Sequence, residues 1–182
     1  MEILEFQTGA DWERWLEANH AVEPEAWLRI AKRSSTLPGI VIAEALDGAL
    51  CFGWIDGQRR SNDDDSFLQR YSPRRPTSSW SKINVEKFEA LAAAGRVRAA
   101  GHAEADAARA DGRWDAAYES QRTAEPPADL LAALAFRPQA AQAWESLGRS
   151  DRYAVILQIL KTRDPRRRAE AIERAVVRLE RG

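Results

Sequence analysis

A chain of 182 residues, 45% of them hydrophobic, can bury a core of its own as one domain or a domain with a small appendage. Its formal net charge of −1 excludes a general attraction to nucleic acid, although local basic patches stay open. A single cysteine excludes an internal disulfide and fits a reducing compartment.

The opening MEILEFQTGADWE lacks a basic stretch followed by an apolar one, so no secretory leader is expected. EILEF alternates weakly and reads as a short edge strand. In TGADWERWLEANH, Thr8 can accept from the Asp11 backbone while Asp11 reaches back to Thr8, a capping box. Trp12, Trp15 and Leu16 follow at helical spacing, which predicts one apolar face. AWLRIAK reads as a strand buried on one face, with Ala26, Leu28 and Ile30 opposite Trp27 and Arg29.

IVIAEALDGAL places Ile42, Ala45, Leu46, Ala49 and Leu50 on a helical stripe that Gly53 should end. This most apolar region of the chain is interrupted by Glu44 and Asp47, so no membrane insertion is expected. WIDGQRRS and SFLQRYS read as two strands of an antiparallel hairpin joined by the acidic NDDD turn. Trp54, Asp56 and Gln58 should share one face of the first, and Phe67, Gln69 and Tyr71 one face of the second. Pro73 and Pro76 hold the segment around Arg74 and Arg75 extended. Helices are predicted from about Ser81 to Ala94, stopping at Gly95, and from about Arg98 to Asp111, stopping at Gly112.

ESQRTAEPPAD reads as a linker. Three short helical patterns follow, carrying Leu130, Leu131 and Leu134, then Trp144 and Leu147, then Tyr153, Ile156, Leu157 and Leu160. A last helix should start with Asp164 as cap and Pro165 at its first position, with Ala169, Ile172, Val176 and Leu179 inward. The expected architecture is α+β: a small antiparallel sheet near residues 26–32, 53–60 and 66–72 with packed helices, then an all-helical segment. The domain limits are 1–120 and 126–182, and the helical segment is expected to bury its stripe against itself and against the first domain.

Four stretches in this order, EALDGALCFGWIDG, FLQRYSPRRPTSSWSKIN, GRW and ILKTRDPRRR, resemble the YdeI/OmpD-associated family, also called bacteriocin-protection proteins. The resemblance runs from WLEANH and AWLRIAK to the final helix. It implies an N-terminal α+β domain and a C-terminal helical segment of the OmdA type. Its name implies a role in tolerance of bacteriocins or antimicrobial peptides and a link to the outer membrane; it implies no reaction.

ALCFGWIDGQR and RYSPRRPTSSWSK concentrate the chemistry. A helix starting near Ser81 aims free N–H groups and a positive dipole end at Arg74, Arg75 and Lys82, which suits phosphate or carboxylate. The plainer alternative is a solvated loop whose arginines pair with Asp56 or with Asp63 to Asp65. In the ligand reading, Trp54 and Trp80 wall a cleft, Arg74, Arg75, Ser81 and Lys82 hold an anion, and Asp56 and Asn84 orient it. Asp56 beside Trp54 can act as a general base or stabilise a turn. Cys51 reads as buried and structural, His20 as a helix-end residue, and His102 as exposed. Two lone histidines and one cysteine meet no zinc spacing, and no cofactor or metal is implied. Glutamates interleave with the arginines between Lys161 and Arg181, which marks a solvated helix face and makes a nucleic-acid partner an unfavoured reading.

The leading expectation is thus a cytoplasmic ligand-binding protein with an anion-accepting cleft. The alternatives are an enzyme on a small anionic metabolite with Asp56 as acid or base, and a protein-interaction module using the C-terminal helices. A small anionic ligand and a protein partner both stay open, as does the oligomeric state.

Overall fold

The computed structural model describes residues 2–36, 38–121 and 123–181. The chain divides into two compact units, Met1–Trp80 with Asn84–Ala116, and Ser81–Ile83 with Ala117–Gly182. No helix among the described residues is long and apolar enough to cross a membrane.

In the first unit, β1 (Ile3–Leu4) leads to α1 (Gly9–Asn19). The Thr8 hydroxyl accepts from Asp11 N at 3.2 Å and the Asp11 carboxylate accepts from Thr8 N at 3.1 Å, so the capping box forms as the local sequence dictates. β2 (Ala26–Ala31), α2 (Ile42–Cys51), β3 (Trp54–Ser61) and β4 (Ser66–Pro73) follow. The four strands form one sheet in the order β1-β2-β4-β3. β2, β4 and β3 pair antiparallel, as expected, while β1 pairs parallel with β2 and makes the sheet mixed. The reason is the connection: α1 lies between β1 and β2, and a helical crossover returns the chain in the same direction. A bulge interrupts β3 between Asp56 and Arg59.

The core of this unit is aromatic. Trp12, Trp54 and Tyr71 are each about 1% exposed or less, with ring centroids 6.2 Å apart for the two tryptophans and 5.8 Å for Trp12 and Tyr71. Burying roughly 150–250 Å² per aromatic side chain contributes about 4–6 kcal/mol each before chain entropy. Trp12 Nε1 donates to the Ala45 carbonyl at 3.0 Å, which joins α1 to α2. Gly48 allows that approach, since a Cβ there would sit 2.6 Å from the Trp12 ring.

Gly53, at φ 74°, ends α2 and turns the chain into β3. α3 (Lys82–Ala93), which belongs to this unit from Asn84 on, and α4 (Ala99–Ala110) complete the unit. α4 buries Gly101, Ala105 and Ala108, a face of small residues. A Cβ on Gly101 would lie 2.4 Å from the Cys51 carbonyl, which is how closely α4 meets the end of α2.

The second unit consists of α5 (Ala128–Ala135), α6 (Pro138–Ser146), α7 (Arg149–Leu160) and α8 (Pro165–Arg181), preceded by residues 117–127. Asp164 caps α8 by accepting from Arg167 N at 2.8 Å, with Pro165 at the first helical position. Leu130, Leu134, Trp144, Ile156, Ile172 and Val176 meet in its core. On α7 the buried residues are Val155, Ile156 and Ile159; of the expected Tyr153, Ile156, Leu157 and Leu160, Ile156 is buried and Leu160 packs partly buried against the same core. Tyr153 is held aside because its hydroxyl donates to the Glu119 carbonyl at 3.0 Å. Arg168 grips both oxygens of Asp129, at 2.6 and 3.0 Å, and Arg137 pairs with Glu173 and Glu180.

Candidate functional site: the loop from Pro73 to Trp80

Pro76 sits at the second position of a turn closed by Ser78 N donating to the Arg75 carbonyl at 2.8 Å, a place its fixed φ favours. The Ser78 hydroxyl accepts in return from Arg75 N at 2.9 Å. Arg74 anchors the loop beneath this turn. Its backbone N–H donates to the Gly53 carbonyl at 3.0 Å, and its Nη1 donates to the Ser79 carbonyl at 3.2 Å. The guanidinium carbon lies 3.6 Å from the centre of the Trp80 ring, and the residue is 7% exposed.

Arg113 braces the same loop from the far end of the unit. It is 6% exposed, donates to the Ser78 carbonyl at 3.1 Å, and is neutralised by Glu104 at 2.8 Å and Asp111 at 2.7 Å. Trp80 packs against Trp114 and Phe88, with centroids 4.7 and 5.8 Å away. Arg109 covers Trp114 at 4.3 Å. Arg113 and Trp114 carry as much of this loop as the residues singled out by sequence. The sequence signal for them is the GRW triplet that begins at the helix stop Gly112, one of the four stretches of the family pattern.

The eight residues of the sequence reading therefore fall into distinct places. Arg74 and Trp80 are in contact and buried. Arg75, next in sequence, is exposed, and among the described residues its guanidinium makes no hydrogen bond or ion pair. Trp54 lies in the aromatic core, covered by Trp12 and Trp15 and donating to the His20 carbonyl at 3.2 Å. Asp56 is exposed on β3 opposite Tyr71. Asn84 is buried in the first turn of α3. Ser81 and Lys82 belong to the second unit, where Ser81 bridges to Tyr118 and Lys82 Nζ pairs with Glu119.

The titrating groups behave accordingly. Burial pushes the Cys51 thiol up to about 11, with the Glu13 charge adding to the effect. Burial also raises the Tyr71 hydroxyl, helped by the charge of Asp56. Among the described residues Tyr71 Oη and Trp80 Nε1 are buried without a hydrogen-bond partner. No cluster of histidine, cysteine and carboxylates suited to a metal ion occurs among the described residues.

Open grooves lie in the second unit, with volumes of about 450, 460 and 520 Å³. The first unit contains a small, partly open recess of about 20 Å³ near Glu5, Arg29 and Asp65, room for a single water.

Residues 4–104 match the model of a family described as a domain of unknown function, DUF8412. Residues 123–182 match the family described as bacteriocin-protection, YdeI or OmpD-associated. The motifs around Trp54 and Trp80 thus lie in the stretch matched by the first model, and ILKTRDPRRR in the stretch matched by the second. No match was found among curated proteins or among solved structures. The chain belongs to the DUF8412 family over residues 4–104 and carries the YdeI/OmpD-associated (OmdA) segment over residues 123–182.

Proposed function

We propose that this chain is a cytoplasmic binding protein that accepts an anionic group at Arg75, and that this binding serves the bacteriocin tolerance named by its C-terminal family. The observation that carries the reading is the contrast between adjacent arginines. Arg74 is consumed in holding the loop, whereas Arg75 presents an exposed guanidinium that, among the described residues, makes no hydrogen bond or ion pair, from a turn fixed at both ends. Because the turn fixes the Arg75 backbone, a phosphate or carboxylate that docks there has to order the side chain alone, and the planar fork offers it paired donors.

Binding is favoured over catalysis on chemical grounds. With its thiol at about 11, Cys51 is thiolate in only about one molecule in ten thousand at neutral pH, and it is buried. Asp56 is exposed on its strand and lacks the apolar wall that a general base would need, because Trp54 turns into the core.

The test is a thermal-shift titration with inorganic phosphate and with citrate at constant ionic strength. Arg75→Ala should weaken the response by tenfold or more, the effect of losing at least one charge-assisted hydrogen bond of about 1.5–3 kcal/mol. Arg75→Lys should restore part of it. Equal titrations in the wild type and Arg75→Ala would end this proposal.

A further inference from the structure

The charge of the chain is unevenly divided. Residues 117–182 hold twelve arginines and lysines against nine aspartates and glutamates, a surplus of three positive charges in a chain whose total is −1. Several acids of this unit are already engaged: Asp129 by Arg168, Glu173 and Glu180 by Arg137, and Glu119 by Lys82. Other arginines are left over. Arg149, Arg178 and Arg181 make no hydrogen bond or ion pair among the described residues, and Arg174 reaches only Glu170, at 3.8 Å.

These leftover cations border one groove. The depression beside Gln121, Arg149 and Arg152 meets the next at Leu147. That second depression, floored by Ala143, Ala154, Val155 and Leu179, meets the third at Arg178. The third continues past Gln158 to Arg174 and Arg181. The three together border α7, with an apolar middle, Arg149 at one end and Arg174, Arg178 and Arg181 at the other; Arg152, beside Arg149, is already paired with Glu145 at 3.0 Å. Asp151 is the carboxylate lining the middle, and Glu173, already held by Arg137, lines the third depression. Positions 174, 178 and 181 repeat at helical spacing, so their guanidinium groups rise from one face of α8.

We propose that this groove docks a segment of a partner protein that carries apolar side chains between acidic ends. Charge complementarity selects the acidic ends, since unpaired arginines beside a groove favour carboxylates and speed their encounter. Leu147, Ala154 and Leu179 select the apolar centre, because covering them removes hydrocarbon from water. α7 has 12 residues and is thus about 18 Å long, the reach of five or six extended residues. A nucleic acid would satisfy the arginines but lay sugar and phosphate over the apolar floor, leaving that part of the surface unused. The inference does not depend on Arg75.

The test uses the full chain and two fluorescent synthetic peptides. Both have a centre of leucine and alanine, flanked by glutamates in one and by lysines in the other. The glutamate peptide should bind at least tenfold more tightly, and its affinity should fall as salt is raised. Arg178→Glu and Ala154→Lys, both at exposed positions, should each weaken it by tenfold or more while the circular dichroism spectrum stays unchanged. Equal binding of the two peptides, or unchanged affinity in both variants, would overturn the proposal. So would a single-stranded RNA oligonucleotide that binds more tightly than the glutamate peptide and is insensitive to Ala154→Lys.

Discussion

Arg74→Ala should destabilise the first unit strongly, although the residue reads from sequence as a loop cation. The substitution removes a guanidinium 3.6 Å above the Trp80 ring, a desolvated cation–π contact of about 2 kcal/mol. It also removes the charge-assisted hydrogen bond to the Ser79 carbonyl, about 1.5–3 kcal/mol. Because both depend on one placement of one side chain they overlap, and about 3–4 kcal/mol is the expected total. For a chain of this size that corresponds to roughly 6–16 °C in Tm. Arg75→Ala should stay within about 0.5 kcal/mol, because its side chain is exposed and makes no hydrogen bond or ion pair among the described residues. Urea unfolding followed by tryptophan fluorescence measures both, with Trp80 and Trp114 reporting directly on the loop. A loss below about 1 kcal/mol for Arg74→Ala, or equal losses for the two variants, would show that Arg74 does not anchor the loop.

Three further outcomes follow from the packing and the charges. Gly101→Ala should cost at least about 1–3 kcal/mol in denaturant unfolding, because the new Cβ would lie 2.4 Å from the backbone oxygen of Cys51; a neutral result would mean that α2 and α4 sit farther apart. Cys51 should react with a thiol reagent only as fast as the first unit opens, and rapid labelling of the native protein would contradict its burial. Asp129 is held below the usual carboxylate range chiefly by the hydrogen bond from Arg168, so the unfolded chain takes up that proton first as pH falls. The contribution is therefore complete above pH about 4 and is lost as pH drops through the lowered value, and a wild-type acid slope matching that of Asp129→Asn would refute it.

Much of the secondary structure was legible because its causes are local. Thr8 and Asp11 are three residues apart and satisfy one another wherever the chain goes. Gly53, Gly95 and Gly112, all at positive φ, follow the three helices they were expected to end. Asp164 and Pro165 start α8 for equally local reasons. The parallel pairing of β1 was not legible, since a two-residue strand carries no signal of the neighbour it will choose.

The candidate site shows where local reasoning stops. Trp54 and Asp56 share a strand face by alternation, yet one is buried and the other exposed, because the tryptophans of α1 cover only the first. Arg74 and Arg75 are the same residue type at adjacent positions. No property of either distinguishes them until Trp80 stacks on the first and Arg113 closes the loop from 35 residues beyond Ser78. Helix caps and stops were determined by the sequence by itself, because backbone hydrogen bonds act over one or two turns, whereas the buried face of α7 was set by the helices packed against it. Which arginine faces solvent, which tryptophan is core, and which cations border a groove were decided only by the tertiary structure, because burial depends on what the distant chain brings to cover each side chain.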